Sequence, residues 1–202
     1  MIKIYHVTGT RGLRAIWTCE ELAIPYEVEV VSFDAQFRAS PEWRKLNPVG
    51  KVPAMTDDDL VMFESGAMVQ YLVDRYGEGK LQPKPGTTDH ALYLQWSWFA
   101  EATFSRPLGE VVNHGREFPG DKHIKAVVDE MKNRASLSLE AVANEMSGKE
   151  YLVADKFSAA DIMMGYTLML ANRLLDTPLP KKIIPYWESL SNREGFQIAQ
   201  AK

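Results

Sequence analysis

Two short stretches of the chain, Asn47-Pro48-Val49-Gly50-Lys51-Val52-Pro53 and Phe63-Glu64-Ser65-Gly66, flank the acidic run Asp57-Asp58-Asp59. Proline fixes its own φ and pushes its predecessor to extended geometry, so Val52-Pro53 reads as a turn into a strand. An X-Pro bond takes the cis form at a cost of only about 0.5–1 kcal/mol, unlike any other peptide bond. A cis bond at Pro53 would leave the N–H and C=O of Val52 facing outward as an unused strand edge, to which a peptide could pair by strand addition. Glu64 and Ser65 end a strand and open a helix, whose first backbone N–H groups favour a carboxylate. A strand edge beside a carboxylate socket fits a small anionic peptide.

The elements that must carry these residues follow from hydrophobic periodicity. Residues 2–7 alternate as a strand does, Thr8-Gly9-Thr10 breaks the run, and 13–22 show helical spacing until Pro25. Residues 26–31 alternate again, and a βαβ crossover makes those two strands parallel. An irregular segment with Pro41 and Trp43 precedes two short strands around Asp57-Asp58-Asp59 and a helix over 65–76. The order, β-α-β-α-β-β-α, predicts a small mixed sheet flanked by helices. Residues 77–88 are rich in Gly, Pro and Lys, as linkers are. Beyond them strand signals vanish, and 92–112, 124–146, 159–175 and 183–190 read as helices. Ser158-Ala159-Ala160-Asp161 has the form of a capping box between Phe157 and Ile162. Its role is to nucleate a helix, so Asp161 is assigned no catalytic part.

At 202 residues the chain holds one large domain or two small ones. A net charge of −4 gives no broad attraction to nucleic acid or to an anionic membrane, so an anionic ligand needs local cations, for which Arg11, Arg14 and Lys51 are candidates. The single cysteine, Cys19, cannot form an internal disulfide and suits a reducing compartment. No basic-then-apolar segment follows Met1, and the longest apolar run is too short for a membrane span. A soluble cytoplasmic protein is expected. His6, His90, His114 and His123 form no closely spaced metal-ligand pattern, so no metal is expected. Nucleophile-elbow, dinucleotide-binding and Walker signatures are absent.

Taken together, the two motifs and the order of elements resemble the cytosolic glutathione S-transferase family, of a bacterial kind with a Ser/Thr-type first loop. The resemblance runs the whole chain. It implies an α/β thioredoxin-like N-terminal domain over 1–78, a linker over 79–88, and an all-α helical-bundle domain over 89–202 that holds the electrophile and the dimer contacts. It further implies that Val52, before a cis Pro53, pairs with the cysteinyl unit of glutathione, and that Glu64 and Ser65 hold its γ-glutamyl end. Lys51 is placed to meet the glycine carboxylate, or else is a solvated strand-end lysine. A homodimer that conjugates glutathione to a hydrophobic electrophile, in detoxification, is the implied activity.

Such chemistry needs a thiolate, and lowering a thiol pKa from about 8.5 by two units takes about 2.7 kcal/mol. Helix N-termini, hydroxyl donors and guanidinium groups supply it, and the loop Thr8-Gly9-Thr10-Arg11-Gly12 offers all three. Many members place Tyr, Ser or Cys in this loop, whereas this chain has none between Val7 and Thr18. Thr10 falls at the position of the serine in Ser-type classes and Arg11 at that of the bacterial cysteine type. Thr10 is therefore the expected hydroxyl donor, assisted by Arg11 or the helix end. Thr8 is its rival, and a plain helix-capping role for Thr10 stays open. Cys19 reads as a small buried hydrophobe, and Arg14 as a loop-bracing charge.

Residues 93–104 are unusually aromatic, and most of these side chains should be core. By the resemblance, Trp96, Phe99 or Phe104 line the electrophile pocket, while Glu101 is either a reach toward a partner's glutathione or a solvated residue. Glutathione-dependent isomerisation, dehalogenation or ether cleavage would use the same thiolate with another pocket. A non-catalytic binding or regulatory module on the same fold is the third alternative, favoured by the altered first loop and opposed by the intact Val52-Pro53 and Glu64-Ser65.

Overall fold

In the computed structural model, which describes residues 1–202, the opening alternation becomes strand β1 (Ile2–His6), with Ile2, Ile4 and His6 buried on one face. Helix α1 (Gly12–Leu22) follows. It stops at Ala23, whose left-handed backbone (φ 54°) turns its N–H onto the Cys19 and Glu20 carbonyls. Strand β2 (Tyr26–Val30) then lies parallel to β1. Two short helices, α2 (Ala35–Ala39) and α3 (Pro41–Leu46), fill the stretch that looked irregular in sequence. Each is started by a side-chain cap, Asp34 accepting from the Phe37 N–H and Ser40 from the Trp43 N–H. Helices of one turn are too brief to display a hydrophobic period. Strands β3 (Ala54–Asp57) and β4 (Leu60–Phe63) complete a four-stranded sheet in the order β2-β1-β3-β4, and α4 (Ser65–Tyr76) follows. Both pairings of β3 are antiparallel.

Residues Pro83–Leu190 form a second compact unit, wholly helical. Helix α5 (Thr88–Trp98) runs through a π-helical turn at Phe99–Ser105 into α6 (Arg106–Glu117). Pro107 stands just beyond the widened turn; it lacks an N–H and would clash with a carbonyl four residues back in a regular helix. Helices α7 (Lys125–Glu145), α8 (Ala159–Leu174) and α9 (Ile184–Ser191) complete the unit. Helix α8 is buried along nearly its whole length. Its capping box is formed as the sequence indicates: Asp161 accepts from the Ser158 N–H (2.8 Å) and Oγ (3.0 Å), the Leu152 N–H (3.1 Å) and the Tyr186 hydroxyl (2.8 Å). Those donors occupy the carboxylate fully, in keeping with a structural role. No helix is long and apolar enough to cross a membrane.

The final helix, α10 (Glu194–Ala201), belongs with the sheet and not with the helical unit, in contrast to a division at residue 89: the first unit comprises Met1–Gln82 and Ser191–Lys202. Phe196 packs edge-to-face on Trp17 at 5.0 Å, and both nitrogens of an Arg193 fork reach Glu21 at 2.7 and 2.6 Å. Burial of Phe196 against Trp17 of α1 outweighs chain continuity with the bundle.

At the far end of β3, Asp57 fastens the sheet to α4, accepting from the hydroxyls of Tyr71 (2.8 Å) and Tyr76. Burial pushes the carboxyl pKa up, but the Tyr76 and Tyr71 hydroxyls, with Arg75 nearby, outweigh it and hold the pKa below its ordinary 3.8. A pKa depressed by folding gives stability that is present above pH 3.8 and is lost as pH falls further. Asp57→Asn should therefore cost about 1–3 kcal/mol in urea unfolding at neutral pH. The gap from wild type should narrow as pH drops below 3.8, and a gap that does not narrow would contradict this assignment.

Candidate functional site

Ala54 has partners on both sides, Tyr5 of β1 and Phe63 of β4. Because both pairings are antiparallel, the segments that follow Tyr5, precede Ala54 and follow Phe63 emerge at one end of the sheet. The register thus gathers Thr10, Arg11, Lys51, Val52, Pro53, Glu64 and Ser65 from three separate loops.

The Val52-Pro53 peptide bond is cis. Pro53 is buried and Val52 half-buried, and no hydrogen bond within the chain uses the N–H or C=O of Val52. Lys51 beside it is exposed. Glu64 has φ 74° and ψ 104°, a region that costs a non-glycine residue on the order of 1–3 kcal/mol. It is held there because its carbonyl accepts the Met68 N–H (3.0 Å) while its neighbour Ser65 is buried as the first residue of α4. Arg14, itself fully buried, donates from Nη1 to Ser65 Oγ at 3.1 Å. The bracing charge expected from sequence therefore acts on Ser65 at the start of α4. Asn47 orders the loop before Val52, accepting from the Val49 N–H (3.2 Å) and donating to the Pro53 carbonyl (3.3 Å). Arg38 and Arg44, which the sequence did not single out, meet the same loop around Gly50. Nothing in their spacing marks them, since their role depends on a turn closing over them.

In the first loop, Thr10 does not cap α1. Its hydroxyl donates backward to the Val7 carbonyl at 2.6 Å, and Arg11 occupies the N-cap without a side-chain bond to the helix. The Thr8 hydroxyl donates to the backbone oxygen of Lys202 at 2.8 Å. The N–H of Gly12, first residue of α1, makes no bond within the chain. No acidic residue occupies the first turn of α1, so the positive end of the helix is uncompensated. Behind the loop lies His6, fully buried; burial lowers its pKa against an opposing rise from the Lys202 backbone, which favours the neutral ring. Cys19 is also fully buried, and burial pushes its thiol up to about 12, which removes it from thiol chemistry. No group of His, Cys, Asp and Glu is placed to hold a metal ion.

In the helical unit, Phe104 is wholly buried and Trp96 is 8% exposed, while Phe99, half-buried, meets Trp96 edge-to-face at 5.3 Å. All three are packed against neighbours. A separate groove of about 760 Å³ runs between α6 and α7, lined among others by Arg106, Pro107, Glu110, His114, Met131 and Arg134. None of the three aromatics lines it. His114 closes one end by accepting the Ile124 N–H on Nε2 at 3.0 Å.

Comparison with known proteins agrees with this geometry. Residues 1–74 match the family model of the glutathione S-transferase N-terminal domain, and residues 111–193 that of its C-terminal domain. Glutathione S-transferase 3 of Schizosaccharomyces pombe is 30% identical over 214 residues, covering 100% of this chain and 88% of the yeast protein. Glutathione S-transferase 1 of Saccharomyces cerevisiae is 25% identical over 222 residues, covering 100% and 95%. The crystal structure of the glutathione transferase URE2P8 of Phanerochaete chrysosporium with oxidized glutathione superposes with a TM-score of 0.88 at 27% identity, covering 99% of this chain and 93% of that one. The chain belongs to the glutathione S-transferase family, with a thioredoxin-like first part and an all-helical second part.

One contact fixes where the first loop can stand. A Cβ added at Gly12 would lie 2.4 Å from His6 Cβ and 2.9 Å from its ring. Cβ of His6 cannot swing aside, so Gly12→Ala must push α1 off β1, at about 1–3 kcal/mol. Urea unfolding of the variant measures this; wild-type stability would show that strand and helix have slack at their junction.

Proposed function

We propose that this chain binds glutathione at the gathered end of the sheet, stabilises its thiolate, and conjugates it to a hydrophobic electrophile held by the helical part. The observation that carries this is the unpaired backbone of Val52 set, by the register of Ala54, beside the start of α4. The cysteinyl unit of glutathione would pair with Val52, the γ-glutamyl end would meet Glu64 and Ser65, and Lys51 would meet the glycine carboxylate. URE2P8 with oxidized glutathione supports the same ligand here. The unit of Met1–Gln82 with Ser191–Lys202 is then the glutathione-binding part and Pro83–Leu190 the electrophile part, where Phe99 is the least buried of the three aromatics. A cytoplasmic homodimer fits the exposure of Leu60, Val61 and Phe63 on β4 and of Trp98, which is 68% exposed.

The first loop supplies the stabilisation by exchange. Thr10 now gives its proton to a neutral carbonyl. A thiolate arriving at the loop is a stronger acceptor, since a hydrogen bond to an ion is roughly twice as strong as one between neutral groups. Rotation about one bond moves the proton from Val7 to sulfur. The Gly12 N–H, the positive end of α1 and Arg11 add to it. Engagement of both loop hydroxyls favours one competing reading, a module that binds glutathione without turnover.

Calorimetry with glutathione followed by an aryl-halide conjugation assay separates the two. Thr10→Val should lower the rate at neutral pH by roughly tenfold to a hundredfold and shift the pH–rate profile upward, with glutathione affinity nearly unchanged. Thr10→Ser should keep the wild-type profile. Glu64→Ala should weaken binding and leave the profile in place. Binding without conjugation establishes the module, and no binding removes the proposed function. Light scattering at micromolar concentration should give twice the chain mass, and a monomer there would contradict the homodimer.

A further inference from the structure

We infer that Arg44 is a positioning residue for the cysteinyl and glycyl half of glutathione, acting through the loop that presents Val52; the inference rests on the glutathione reading above. Residues 47–53 belong to no helix or strand, yet this loop must hold the Val52 N–H and C=O in place before any ligand arrives. Beside the Gly50 N–H bond to the Asn47 carbonyl (2.9 Å), two side chains order it. Asn47, buried, works from within through Val49 and Pro53. Arg44, at the surface on α3, works from outside.

Arg44 donates from Nε to the Arg38 carbonyl at 2.9 Å and from Nη1 to the Pro48 carbonyl at 2.6 Å. One planar fork thereby joins the end of α2 to the turn that leads into Lys51 and Val52. Gly50 lies directly against this fork: its φ is +63°, and a Cβ there would be 2.5 Å from the Arg38 carbonyl oxygen and 3.0 Å from Nε and Cζ of Arg44. The turn closes onto the guanidinium and leaves room for nothing larger than hydrogen. Neither carbonyl is anionic, so no ion pair accounts for the arrangement. What the fork provides is shape, two donors at a fixed separation on a charge that needs no neutralising partner because it is solvated. Loss of the fork releases the Pro48 carbonyl and leaves the turn held only by Asn47, through the Val49 and Gly50 N–H groups, so the strand edge two residues on is less firmly placed. Ordering that edge would then be charged against ligand binding.

The test uses the full chain with glutathione itself as the probe. Calorimetry gives Kd, and aryl-halide kinetics at saturating glutathione give kcat and its pH profile. Arg44→Met should raise Kd by roughly tenfold or more, with kcat at saturation and the pH profile unchanged, because the Thr10 loop is untouched. Arg44→Lys should fail to restore affinity, since an ammonium cannot bridge two carbonyls in the same way. Gly50→Ala should weaken binding in the same direction, and Lys45→Met, which removes the neighbouring charge on α3, should leave Kd at the wild-type value. Wild-type Kd in Arg44→Met, full rescue by Arg44→Lys, or an equal loss in Lys45→Met overturns the positioning role while glutathione binding stands. A wild-type chain that does not bind glutathione overturns both.

Discussion

Everything at the site depends on the pairing of Ala54 with Tyr5 on one side and Phe63 on the other. Three loops far apart in sequence meet because two antiparallel ladders share that residue. A slip of one residue in either ladder would turn buried Met55 outward and displace Val52 from Glu64. The core enforces the register, since Ile4 and Met55, paired on one face, are fully buried and a one-residue shift would bring half-buried Lys3 or Thr56 to that face. The placing of these loops is thus a consequence of hydrophobic packing some distance from them.

Around that frame the loops are fixed by polar contacts of different kinds. Arg14 reaches Ser65 through the interior, Asn47 and Arg44 hold the turn before Val52, and Gly12 lies hard against His6. In the first loop the Thr10 hydroxyl donates to a neutral carbonyl, that of Val7. Under the proposed function, a rigid backbone with one hydroxyl that can turn would set orientation in advance of a thiolate.

The helical unit is organised about a single buried carboxylate. Asp161 collects donors from Ser158, Leu152 and Tyr186 and so ties the start of α8 to the preceding loop and to α9. Burial raises its pKa, while the donors oppose the rise. With α8 fixed, α5 and α6 pack beside it across the π-helical turn, where Thr167 of α8 donates to the Ala100 carbonyl at 3.2 Å. The aromatic residues of this stretch are spent largely on packing, which leaves the lining of the α6–α7 groove to Arg106, Pro107, Glu110 and their neighbours.

The sequence by itself determined the strands, the long helices, the capping box at Ser158 and the two motifs at Val52-Pro53 and Glu64-Ser65, because period, proline geometry and capping are local properties of a few adjacent residues. It allowed one helix between the second and third strands where the structure has two, since one-turn helices have no period; it read no helix beyond residue 190 and assigned that end to the bundle by chain order, whereas Phe196 and Arg193 meet Trp17 and Glu21 on α1. Which of the aromatic residues would be exposed was also out of reach, as burial is set by what packs opposite. The acceptor of the Thr10 proton, the positive φ of Glu64 and the fork of Arg44 were decided only by the tertiary structure. Each depends on where a distant or folded-back stretch of backbone comes to rest, and that is settled when the sheet register and the core close together.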